Sequence, residues 1–442
     1  MRTTLIALLL LLSAQITFSQ GRYTSNRLLK AGPMVGYTEM REAILWVQTT
    51  SSATVRFDYY DLQNPTVSFQ TIEYRTTEGE QFIAKLVANE VQPGQTYGYR
   101  LYLNGREVPM NHKLKFKTPS DWRYKTTPPL LRFAFGSCNF VNDAKYDREG
   151  TPYGGDYRIY DEILRREPDF MMWLGDNLYF READWYTETG IQYRYSTMRS
   201  RPELQPLLSG TAHYAIWDDH DYGSNDSDRT FREKETSLNA FQQFWGNPRP
   251  VMGANGGITT SFERDDCQFF LLDNRYNRSP NGIRSSEPTI LGKEQLDWLI
   301  ESLVSSTSTF KFVCMGGQVI SNVDKYETYF HIAPQERQYL LDAIVQNQIK
   351  NVIFLTGDMQ SSELSVYSKS GVRIYDMTVS PLTAKAYQPE SGNGFRVRGT
   401  GFGQRAFGLI EVYGLEGRRK AKLMLYDSNG RKIWEEQIES QI

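Results

Sequence analysis

Six short apolar runs, each ending in a small or polar residue, set the strongest limit on how this chain can fold. They are "LRFAFGSC", "FMMWLGD", "YAIWDDHD", "CQFFLLDNR", "FKFVCMGGQ" and "NVIFLTGD", and they lie between Leu131 and Asp358. Runs apolar on every side suit strands covered on both faces. Between them stand "YRIYDEILRRE", "TSLNAFQQFWGN", "KEQLDWLIESLVSS" and "PQERQYLLDAIVQNQ", with helical spacing of their apolar residues. Such alternation predicts a layered α/β domain. The tail from Ala406 returns to alternating strands with a hairpin at "SNG", so this domain is expected to fill 131–442.

The stretch 28–118 reads differently. "EAILWVQTT", "ATVRFDYYD", "TIEYRTT", "FIAKLVANE", "QTYGYRLYLNG" and "HKLKFKTP" are short, partly alternating runs parted by turn residues. They predict a small antiparallel β-sandwich of the immunoglobulin or fibronectin kind. Residues 119–130, polar and Pro-bearing, read as a linker. The expected fold class is therefore α/β (α+β): an N-terminal sandwich followed by a layered domain.

Residues 1–19 read as an export signal: Arg2, then an apolar stretch from Leu5 to Leu12 too short to span a bilayer, then small Ser19. No later stretch is apolar enough to span a membrane, so the expected location is periplasmic or secreted. The formal charge is −2. Without a basic excess or a polybasic run, neither nucleic acid nor a charged membrane surface is an expected partner. Three cysteines, Cys138, Cys267 and Cys314, leave at least one free or acting as a ligand. Cys267 and Cys314 sit within apolar strands, where a small buried residue is the plain explanation.

The chemistry gathers at the ends of the runs. Ser137-Cys138 closes the first, Gly175-Asp176 the second, Asp218-Asp219-His220 the third and Gly357-Asp358 the last. In an open α/β sheet, ligands collect beyond the carboxyl ends of the strands. Carboxylates brought together there repel unless a cation lies between them, so the pattern predicts metal. One Asp after a strand is usually a turn former; the repetition is what points to a site. Tyr179, three residues after Asp176, pairs a phenol with a carboxylate and suits a ferric ion. Cys138 is either a soft ligand, a mixture that fits iron rather than magnesium, or an inert buried thiol.

In chain order, "FGSCNF", "WLGDNLYF", "IWDDHDYGSND", "FLLDNRYNR", "LTGDMQSSEL" and "SPLT" resemble the PhoD-like alkaline phosphatases and phosphodiesterases, within the calcineurin-like metallophosphoesterases. The resemblance spans essentially the whole mature chain. It implies an exported hydrolase of phosphate monoesters or diesters that uses metal-activated hydroxide, with a phospholipid among the eligible substrates. Cys138, Asp176 and Tyr179 would hold Fe3+, with Asp358 nearby. Asp176 would bridge to one or two Ca2+, with Asp219 beside them. His220 would meet the substrate or protonate the leaving oxygen. Arg275 is either a phosphate contact or a salt-bridge partner. Arg199 and Arg201 are weaker candidates, and Asp221 and Asn225 share the His220 loop without an assigned role.

The chain departs from the family at one place. Relatives usually carry His two residues after the last Gly-Asp; here Gln360 stands there, and the other histidines are His112, His213, His220 and His331. An amide oxygen suits calcium but is a poor ligand for iron, and an amide moves no protons at neutral pH. Three readings follow: a calcium-leaning site that still works, a slower enzyme, or a pocket that has lost its reaction and serves a non-catalytic binding protein.

Overall fold

The computed structural model describes residues 26–253 and 256–441. The export signal read at 1–19 lies outside them. Among the described residues no helix is long and apolar enough to cross a membrane.

Two large sheets form the body. The first has nine strands, in the order Lys432–Glu439, Lys420–Asp427, Ala406–Tyr413, Leu131–Gly136, Phe170–Leu174, Ala212–Ile216, Leu29–Thr38, Ala43–Thr49 and Ile83–Ala88. The second has six: Thr260–Arg264, Cys267–Leu271, Phe310–Met315, Val352–Thr356, Val372–Thr378 and Glu363–Lys369. The apolar runs are parallel neighbours within each sheet. Leu131–Gly136, Phe170–Leu174, Ala212–Ile216, Phe310–Met315 and Val352–Thr356 are buried along almost their whole length, as strands covered on both faces must be.

Aromatic rings join the two sheets. Phe133 packs edge-on against Phe269 and Phe312, both at 5.1 Å, and Phe170 meets Phe269 at 5.2 Å. Tyr214 stacks on Phe262 at 3.9 Å. Because both sheets are parallel at their centres and face one another, their carboxyl ends open on one edge.

The N-terminal strands are arranged less separately than a free-standing sandwich. Thr54–Asp61 and Thr96–Leu103 pair in a third, small sheet, with Phe57, Tyr59, Tyr97, Tyr99 and Phe116 buried in its core. The strands it faces, Leu29–Thr38, Ala43–Thr49 and Ile83–Ala88, are hydrogen-bonded into the nine-stranded sheet, with Val35 opposite Ala212. At the end of 119–130, Arg419 donates to the carbonyls of Pro128 and Pro129 at 3.3 and 2.7 Å and pairs with Asp266.

Candidate active site

The strand ends meet because glycines let them. A Cβ on Gly357 would stand 2.5 Å from the Ser137 side chain, and one on Gly175 2.7 Å from Asp218. One on Gly316, which follows Phe310–Met315, would stand 2.5 Å from the same Asp218 carboxyl. These contacts cross between strands of one sheet and between the two sheets, so a side chain at any of them would wedge the edge open. Cys138, Asp176 and Asp358, the residues delivered there, all have left-handed backbones (φ 56, 50 and 63). Non-glycine residues in that region are uncommon and strained, by roughly 1–2 kcal/mol each. The surrounding hydrogen bonds must hold them.

Asp221 supplies much of that hold. Its carboxylate accepts the backbone N–H groups of Asp218, Asp176 and Asn177 at 2.6, 3.2 and 3.1 Å, and the Asn177 amide at 2.7 Å. It thereby binds the end of the second run to the end of the third.

Asp176 is the hub. Its Oδ2 accepts the Tyr179 hydroxyl at 3.2 Å and the Cys138 thiol at 3.6 Å, and its Oδ1 accepts the His220 backbone N–H at 3.2 Å. Asp176, Asp219 and His220 each offer a ligand atom within 4.8 Å of the others, and so do Asp218, Asp219 and Glu327. The His220 ring lies over Tyr179 at 4.3 Å. Asp176, Asp219, His220, Asp358 and Gln360 line one cavity of about 980 Å³, with Asn225, Asp226 and Glu327. The fold therefore brings together Cys138, Asp176, Tyr179, Asp219, His220, Asp358 and Gln360.

Arg275 lies elsewhere than a phosphate contact requires. It is fully buried, its Nε bonded to Asp218 at 2.6 Å and its guanidinium clasped by Glu327. Carboxylates occupy the fork that a phosphate would need. Arg199 is buried too, stacked over Trp245 at 4.0 Å and donating to the Phe244 carbonyl. Arg201 pairs with Glu203.

Burial dominates the protonation of these groups. Burial pushes Asp176 and Asp358 well above the ordinary carboxylate range, and neighbouring acids push them further. Burial, helped by Asp358, lifts the Cys138 thiol to about 12. For Asp219 burial also acts upward, but His220, Arg275 and the Asp226 N–H outweigh it and hold it below the usual range. Burial lowers His220 despite the pull of Asp219. Oδ1 of Asp219 and Oδ2 of Asp218 are buried and accept no hydrogen bond among the described residues. A mixed sulfur and oxygen donor set with idle buried carboxylate oxygens fits a cation.

Comparison with known proteins agrees with the geometry. The profile of the PhoD-like phosphatases matches residues 133–402. The chain belongs to the PhoD-like phosphatase family. Residues 26–120 match a domain of unknown function (DUF7800). Alkaline phosphatase D of Bacillus subtilis (strain 168) is 23% identical over 327 residues, 62% of this chain and 52% of that protein. The chain thus matches about half the length of this curated relative. The solved structure of PhoD superposes with a TM-score of 0.73 at 16% identity, over 95% of this chain and 93% of that one. A purple acid phosphatase, PPD1 from yellow lupin (Lupinus luteus) seeds, superposes at 0.67 and 11% identity, over 93% and 75%. At such identities these two establish the fold.

Two residues of the site escaped the sequence. Glu327 lies in a loop with no strand before it, so no pattern marked it. Tyr153, whose hydroxyl meets the Gln360 amide, precedes Gly154 and Gly155. A Cβ on those glycines would strike the Phe140 carbonyl at 2.8 Å and Arg405 at 2.4 Å. The Gly-Gly pair was the available sign of a closely packed loop.

Proposed function

We propose that this chain is a metal-dependent phosphoester hydrolase, exported by its leader, acting on phosphate monoesters or diesters. The observation that carries the reading is the convergence of Cys138, Asp176, Tyr179, Asp219 and His220 on the carboxyl edge of two facing parallel sheets, in a chain of the PhoD-like family.

Cys138, Tyr179 and Asp176 would hold a ferric ion, with Asp358 nearby, and Asp176, Asp219 and Gln360 a calcium ion. The ions would activate water and neutralise charge growing on the phosphate. The chain's own residues do the rest. Asp221 and the close-packed glycines fix the donors before substrate arrives, so little is spent on ordering them during reaction. His220, half-buried at the cavity wall beside Asp176 and Asp219, is suited to give a proton to the leaving alcohol; His331 also lines the cavity. Among the described residues neither Lys nor Arg lines the cavity, so the phosphate charge would fall to the ions.

The test compares nitrophenyl phosphate with bis(nitrophenyl) phosphate, using the parent and Asp176→Ala. The parent should cleave at least one ester, and the variant neither. A folded, metal-loaded parent that cleaves neither would make the pocket a binding site.

A further inference from the structure

Gln360 is held at three points. Its backbone N–H donates to Ser380 Oγ at 2.9 Å, and its carbonyl accepts the Tyr387 N–H at 2.8 Å. Its side-chain Nε2 donates to the Tyr153 hydroxyl. The backbone is left-handed (φ 51), a conformation a glutamine keeps only when its surroundings impose it. With Nε2 engaged, Oε1 accepts no hydrogen bond among the described residues, and the residue lines the cavity.

Tyr153 is itself fixed. Its ring packs edge-on against Phe140 at 4.9 Å and Tyr179 at 6.1 Å, and Phe140 meets Tyr179 at 5.1 Å. Arg181 caps Phe140 at 3.9 Å. One tyrosine therefore touches Gln360 with its hydroxyl and Tyr179 with its ring.

We propose that Tyr153 is a positioning residue for the metal pocket: it takes the Gln360 amide nitrogen and leaves Oε1 as an oxygen donor for a hard cation such as calcium. The inference rests on the metal reading above. An unanchored glutamine would spread its amide over several rotamers and present NH₂ as often as oxygen, and NH₂ ligates no cation. A histidine needs no such anchor, since its ring nitrogen is a donor atom once neutral. The Tyr153 hydroxyl matters here because the residue at 360 is an amide.

The experiment is a double-mutant cycle over Tyr153→Phe and Gln360→His, read as calcium and iron retained per chain after dialysis against graded chelator. Urea unfolding of each protein shows that it is folded. Tyr153→Phe should weaken calcium retention about tenfold in the parent, a size usual for partners that orient a ligand, and less than about twofold in the Gln360→His background. Gln360→Leu, which keeps the tyrosine ring, should cost the same tenfold, and adding Tyr153→Phe to it should cost nothing more. Equal losses in both backgrounds, or no loss from Tyr153→Phe in the parent, would overturn the proposal. A parent that retains neither metal while cleaving no ester would overturn the hydrolase reading as well.

Discussion

Ser380 and Cys138 are 242 residues apart in the chain and 3.1 Å apart in the fold, the serine hydroxyl donating to the thiol sulfur. The same hydroxyl accepts the backbone N–H of Gln360. One oxygen thus ties the end of Val372–Thr378 to the end of Leu131–Gly136 and to the loop after Val352–Thr356. Ser380→Ala should lower stability by about 1–3 kcal/mol, the usual cost of an unsatisfied buried group, and loosen iron. Urea unfolding and iron content check both; a variant equal to the parent in each would show that the contact does nothing.

Tyr179→Phe keeps the ring that packs on His220 and Phe140 and removes the hydroxyl that Asp176 accepts. Iron-loaded parent should absorb visible light through tyrosinate, and the variant should be colourless with its fold intact. Visible absorption of equal strength in the variant would remove Tyr179 from the ligand set.

Arg275→Met should lower stability by about 3–5 kcal/mol, because it leaves Asp218 buried without its cation and Glu327 with Arg278 alone. A residue acting only on phosphate would raise KM and leave unfolding unchanged. Chemical denaturation beside steady-state kinetics distinguishes the two.

Asp376 gives a pH test away from the site. Burial raises its carboxyl to about 6, against three hydrogen bonds from Thr356, Val319 and Ile320. The folded chain therefore holds this proton more tightly than the unfolded chain. Its contribution is full below the ordinary carboxylate value and is lost as pH rises through about 6. Asp376→Asn can keep all three bonds and does not titrate. The stability of the parent relative to the variant should fall by about 2 kcal/mol between pH 4 and pH 7. A difference that stays flat across that window would show that Asp376 does not titrate so.

Much of this was legible in the sequence, for a physical reason. Strands buried on both faces must be apolar throughout, so the runs ending in Cys138, Asp176, Asp219 and Asp358 marked both the sheets and their carboxyl edge. Leu29–Thr38 was not among the expected runs, and its Pro33 is unusual in a central strand. The sheet admits it where the pairing with Ala43–Thr49 is irregular, between Ala31 and Met34. That strand joins the N-terminal segment to the large sheet, so the seam between the two was invisible as well. The fate of Arg275 depended on Glu327, which comes close only in three dimensions.

The most direct measurement is elemental iron and calcium per chain on protein whose nitrophenyl phosphate hydrolysis is followed before stripping, after stripping with chelator, and after reloading. Metal and hydrolysis should fall together and return together, while Asp176→Asn stays low throughout. Full hydrolysis by protein shown to be free of metal would contradict the metal-dependent site.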